Sequence, residues 1–115
     1  APKAVGPYSQ AIEVNGTLYI SGQIPVNPAD GKVQEDIVDA AHQSLKNIGA
    51  ILKEAGMTYD NVVKTTVLLA DIADFKAVNE VYAEYFTGDK PARACYQAAA
   101  LPLGVKVEIE AIAVR

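Results

Sequence analysis

Arg93, Cys95, Glu108 and Glu110 are the residues of this chain whose types and spacing could do chemistry together. Each pair is two residues apart, so on a strand each pair shares a face. If the chain reverses around Leu101-Pro102 and the flanking segments pair antiparallel, Cys95 lies opposite Glu108 and Arg93 opposite Glu110. All four side chains then cluster on one side of a sheet. A guanidinium is a planar fork that takes a carboxylate through two parallel hydrogen bonds. Two readings stay open on spacing alone. Either a glutamate neutralises Arg93 in a salt bridge, or Arg93 holds an anionic ligand and a spare acid orients water or moves a proton. Cys95 has no histidine beside it to form a thiolate and reads as a small packed side chain, with its backbone carbonyl still available.

Other chemistries lack their residues. There is no glycine-rich phosphate loop, no histidine pair at metal spacing and no cysteine cluster, so the sequence calls for no metal or nucleotide cofactor. His42 is the one histidine and reads as a solvated or half-buried helix residue, which leaves a serine nucleophile without its base. No lysine lies in an apolar cradle that would suit Schiff-base chemistry. Ten basic against fourteen acidic side chains give a net charge of −4, which provides no global field for nucleic acid. The longest apolar stretch, Ala98 to Val105, contains Pro102 and Gly104 and is far too short to span a membrane. A single cysteine and no secretory leader point to a reducing, cytoplasmic setting.

The elements that must position these residues are those of one domain, since 115 residues at 50% hydrophobic content suffice for a single core. Ala11 to Val14 and Leu18 to Ser21 flank Asn15-Gly16, a dipeptide suited to a tight hairpin; Asn15-Gly16-Thr17 also reads as a glycosylation sequon, which export alone would use. Asp36 can cap a helix whose apolar residues recur from Ile37 to Ala55 and which Gly56 stops. Val62 to Ala70 reads as a third strand. Asp71 or Asp74 opens a second helix, with Phe75, Val78, Tyr82, Tyr85 and Phe86 as its apolar stripe, closed near Gly88. Arg93 to Ala98 and Val105 to Val114 complete the order β-β-α-β-α-β-β, an α+β fold with a mixed sheet and two helices on one face. The last strand carries Ile112 and Val114 on the face opposite Val107 and Ile109, so both sheet faces are partly apolar. That predicts a homo-oligomer.

Five blocks in order carry a resemblance that covers nearly the whole chain. Gly6-Pro7-Tyr8-Ser9-Gln10, Ser21-Gly22-Gln23-Ile24-Pro25, Pro91-Ala92-Arg93, Leu101-Pro102 and Val107-Glu108-Ile109-Glu110-Ala111-Ile112-Ala113 resemble the RidA family, also called YjgF. The resemblance implies a chorismate-mutase-like fold, a homotrimer with active sites in clefts between subunits, and no cofactor. The implied activity is hydrolysis of 2-iminobutanoate and 2-iminopropanoate, reactive products of pyridoxal-phosphate enzymes such as threonine dehydratase, to 2-oxo acids and ammonia. By position, Arg93 matches the residue that grips the substrate carboxylate, and Cys95 the one whose backbone carbonyl contacts the imine nitrogen. Glu108 matches the acid that holds the attacking water, and Tyr8, Ser21, Gly22 and Asn79 line the cleft. Ala94 and Ala100 depart from a serine and a basic residue common in the family. A binding protein that senses 2-oxo acids through Arg93 is the alternative, followed by the ribonuclease or translation-inhibitor roles described for some members.

Overall fold

The computed structural model describes residues 1–115 apart from Val5 and Pro7, so Pro7 of the first motif block lies outside the described residues. The elements are β1 (Ala11–Val14), β2 (Thr17–Gln23), α1 (Ile37–Glu54), β3 (Val62–Leu69), α2 (Phe75–Ala83), β4 (Ala92–Gln97) and β5 (Val107–Val114). This is the expected order, with ends displaced by one or two residues except at the close of α2. Asn15 and Gly16 both take positive φ, 50° and 81°, as the tight turn between β1 and β2 requires. Asp36 caps α1 by accepting from the amides of Val38 and Asp39, and Gly56 ends it at φ 74°. Asp71 caps a 3₁₀ turn, Ile72–Asp74, that leads into α2. The second helix is shorter than its apolar stripe suggests. It ends at Ala83, and the turn beyond places Phe86 edge-on to Tyr59, with ring centroids 5.6 Å apart.

The sheet order is β1-β2-β5-β3-β4, with β3 and β4 parallel and the other neighbours antiparallel. The expected β4–β5 hairpin does not form, because β3 stands between the two strands. The cause is readable in the elements: α2 links β3 to β4 as a crossover, which brings consecutive strands together in parallel. β5, with four buried residues on its helix side, takes the central place between β2 and β3. β4 carries Arg93, Tyr96 and Gln97 exposed and suits an edge.

The core lies between the helices and one sheet face. Val107, Ile109, Ala111 and Ala113 of β5 and Val67 and Leu69 of β3 pack there beneath Leu45, Ile48 and Leu52 of α1 and Val78 and Val81 of α2. The other face carries Ile12, Tyr19 and Tyr96, each about half exposed, beside Ile112 and Glu110. The second face is therefore partly apolar, as its alternation predicts. No helix among the described residues is long and apolar enough to cross a membrane.

Candidate active site

Arg93 stands at the sheet edge and pairs with Thr65, while Cys95 pairs with Val67. Thr65 and Val67 are buried under the helices, so Arg93 and Cys95 project to the helix side. There α2 presents Phe75, Asn79 and Tyr82 at positions i, i+4 and i+7, one helical face. Arg93 Nη1 donates to Asn79 Oδ1 at 2.7 Å, and the guanidinium carbon lies 4.9 Å from the Tyr82 ring centroid and 5.6 Å from that of Phe75. The Tyr82 hydroxyl shares a buried hydrogen bond of 2.7 Å with Thr65 Oγ1, which fixes the ring under the cation. Burial pushes the Tyr82 phenol above its usual range, so it stays neutral.

Arg93 is thus oriented by a neutral amide and two aromatic faces. Among the described residues the salt bridges are His42–Glu84 and Arg115–Glu13, so neither Glu108 nor Glu110 neutralises Arg93. The salt-bridge reading fails for the reason the hairpin fails: both glutamates lie on another strand and the opposite face. The guanidinium is exposed and keeps donors available for a carboxylate. Cys95 packs against the core, and burial raises its thiol, with Arg93 opposing weakly, as a packed and inert side chain requires.

Glu108 sits opposite Leu68 on the open face. Burial pushes its carboxyl above the usual carboxylate range, and the neighbouring Glu110 charge adds to the rise. Space for the carboxylate comes from a bulge in β2. Ile20 pairs with Ala111 and Gln23 with Ile109, so Ser21 and Gly22 together stand against Glu110 alone. A Cβ at Gly22 would fall 2.0 Å from Glu108 Oε2, so only glycine lets the carboxylate rest on the backbone there. The Ser21 hydroxyl donates to the Ser9 carbonyl at 2.6 Å. Tyr8 is half exposed and lines, with Gly22, Ile24 and Leu103, a cleft of about 290 Å³. A second cleft of about 270 Å³ on the open face is lined by Ser21, Tyr19, Glu110 and Ile112.

The fold therefore brings together two sets. Arg93, Asn79 and Cys95 form one on the helix side of the β4 edge. Glu108, Gly22, Ser21 and Tyr8 form the other around the β2 bulge. The four-residue cluster expected from the hairpin register does not exist within one chain. Sequence reasoning missed the supports of Arg93, namely Thr65, Phe75 and Tyr82, because apolar residues at helical spacing read as core. The signal was the polar Asn79 between Phe75 and Tyr82 on that stripe.

The family model described as Endoribonuclease L-PSP matches residues 1–115. The chain belongs to this family, which is the RidA/YjgF family. A Mus musculus member named 2-iminobutanoate/2-iminopropanoate deaminase is 60% identical over 116 residues, covering 100% of this chain and 86% of that protein. The crystal structure of the E. coli yjgF gene product superposes with a TM-score of 0.97 at 47% identity, over 100% of this chain and 93% of that one. E. coli TdcF, solved with bound serine, superposes with a TM-score of 0.97 at 45% identity, again over 100% and 93%. The fold is the chorismate-mutase-like fold of the RidA/YjgF family. Arg93, Glu108 and the Gly22 bulge all fall in the blocks that carry the family pattern.

Proposed function

We propose that this chain is a homotrimeric 2-imino-acid deaminase that hydrolyses substrates such as 2-iminobutanoate and 2-iminopropanoate to 2-oxo acids and ammonia. The observation that carries the reading is the Arg93 guanidinium, held in place by Asn79 and two rings with no carboxylate on it among the described residues. The deaminase names of relatives at about 60% identity support the same reaction. A small substrate cannot touch Arg93 and Glu108 of one chain, because they point to opposite faces of the sheet. The partly apolar open face gives a second copy a surface to meet, so Glu108, Gly22, Ser21 and Tyr8 of one copy complete the cleft at Arg93, Asn79 and Cys95 of the next.

In this site Arg93 takes the substrate carboxylate and so places the adjacent carbon. The Cys95 backbone carbonyl accepts from the protonated imine nitrogen, which holds the electrophile in its iminium form. Glu108 accepts a proton from water as the water oxygen bonds to that carbon. Glu108 returns that proton to the nitrogen of the resulting carbinolamine and then takes the hydroxyl proton as the C–N bond breaks, so that ammonia leaves and the hydroxyl becomes the 2-oxo group. Water supplies the oxygen and no electron changes hands. A raised Glu108 pKa strengthens it as a base. Arg93→Ala tests the reading in an assay that generates the imine with threonine dehydratase. With the fold confirmed by circular dichroism, kcat/KM should fall about 100-fold or more, as for loss of a charge-paired anchor. Full retained activity would remove the anchor and the proposal with it.

A further inference from the structure

We infer that Gln23 is a positioning residue for this reaction: its buried carboxamide ties the Ser21-Gly22 bulge to the segment that carries Tyr8, and so fixes the surface on which the Glu108 carboxylate rests. The inference deepens the deaminase reading and rests on it. A glutamine that is 2% exposed on the core side of a sheet is costly unless its amide is used. Gln23 Nε2 donates to Gln10 Oε1 at 2.8 Å and to the Ser21 carbonyl at 3.0 Å. Ser21 in turn donates its amide to the Gln10 carbonyl at 2.8 Å and its hydroxyl to the Ser9 carbonyl at 2.6 Å. The first half of the bulge is therefore held at its N–H, its hydroxyl and its carbonyl by Ser9, Gln10 and Gln23.

The chain beyond the bulge is held as well. Asn47, buried on α1, donates to the carbonyls of Ile24 and Val26 at 3.2 and 3.1 Å. Gly22 lies between these two amide tethers, and Glu108 Oε2 lies where its side chain would be. Any movement of the bulge is passed directly to the carboxylate, while Arg93 sits across the sheet on another strand and does not share the tether. Gln23 touches neither substrate nor water in this arrangement; it acts through Gly22 and Glu108.

Gln23→Met keeps the length and volume of the side chain and removes both donors, leaving Gln10 Oε1 and the Ser21 carbonyl without them. In the full chain kcat for imine hydrolysis should fall about tenfold through misplacement of the base. Calorimetric titration with 2-oxobutanoate should keep full stoichiometry and a Kd within about twofold of the parent, because the carboxylate anchor is untouched. Exchange of the Ser21 amide should quicken about tenfold while the Leu18 and Ile20 amides of the same strand keep their protection. Unchanged kcat with unchanged Ser21 exchange would overturn the inference. So would a fall in kcat that only tracks a lost fraction of binding sites, which is the mark of a structural role. Should Gln23→Met fail to fold, Gln10→Met cuts the same bond from its half-buried partner and must reproduce the fall in kcat. Full activity in Glu108→Gln is a different failure: it overturns the reading beneath and takes the catalytic role of Gln23 with it.

Discussion

The Arg93 niche and the Glu108 niche occupy opposite faces of one sheet and are built by opposite means. The first is a local assembly: the crossover from β3 through α2 to β4 lines up Thr65, Phe75, Asn79 and Tyr82 around an exposed cation. The second depends on contacts far apart in sequence, a bulge in β2 against β5, and it partly buries an anion. An exposed guanidinium stays charged and free to take a carboxylate from water. A half-buried carboxylate next to Glu110 holds its proton more tightly and is a stronger base. Binding and proton transfer thus ask for different surroundings, and the fold provides them on opposite faces of the sheet, which the proposed association of copies would join.

The most severe test of that division mixes two dead variants. Arg93→Ala and Glu108→Ala should each be nearly inactive alone. Co-refolded in equal amounts, random assortment gives about one cleft in four an intact Arg93 from one copy and an intact Glu108 from the next, restoring about a quarter of parental activity. Activity that stays at the level of the pure variants would mean that both residues must come from the same chain, which breaks the comparison at its root.

A smaller effect is expected from Gly22→Ala. The added Cβ would fall 2.0 Å from Glu108 Oε2 and cannot stay there, so the carboxylate must turn away. kcat should fall about 10- to 100-fold, as for a catalytic group displaced by roughly 1 Å, while 2-oxobutanoate affinity at Arg93 holds. Equal losses in kcat and affinity would show that the two niches are not independent. The measurement is a full kcat and KM determination beside a ligand titration.

How much of this was legible in the sequence follows the same split. The turn at Asn15-Gly16, the Asp36 cap and the Gly56 stop carry their own local chemistry, and all stand as read. The alternation of β5 correctly showed two partly apolar faces. Its neighbours were not legible, because pairing partners are set by topology: the reversal at Pro102-Gly104 looks like a hairpin turn, yet β3 fills the space between β4 and β5. That one error misplaced Arg93 relative to Glu108 and Glu110. Arg93, Cys95, Glu108 and Gly22 could be singled out individually, from chemistry or from motif blocks. Thr65 and Tyr82 could not, since a buried hydroxyl pair that supports a cation leaves the same apolar stripe as ordinary core packing.

The smallest expected effect concerns stability, and its sign tells whether burial or a neighbouring cation governs the Glu108 carboxyl. Burial and Glu110 raise the Glu108 pKa, so the folded chain keeps a proton that the unfolded chain has released. Stability contributed by this group is then full below the ordinary carboxylate value. It is lost as pH rises through the raised folded value, and the deficit is constant above it. Glu13 slopes the other way, because its hydrogen bond to Arg115 lowers its pKa and that contribution disappears on acidification. Glu108→Gln removes the first term alone. The variant should melt higher than the parent at neutral pH, by roughly a few degrees for a domain of this size, and the gap should close toward about pH 4. Thermal scans across that range measure it. A variant that melts lower at neutral pH would mean that a neighbouring guanidinium outweighs burial at Glu108, and the description of that niche as a desolvated base would have to be given up.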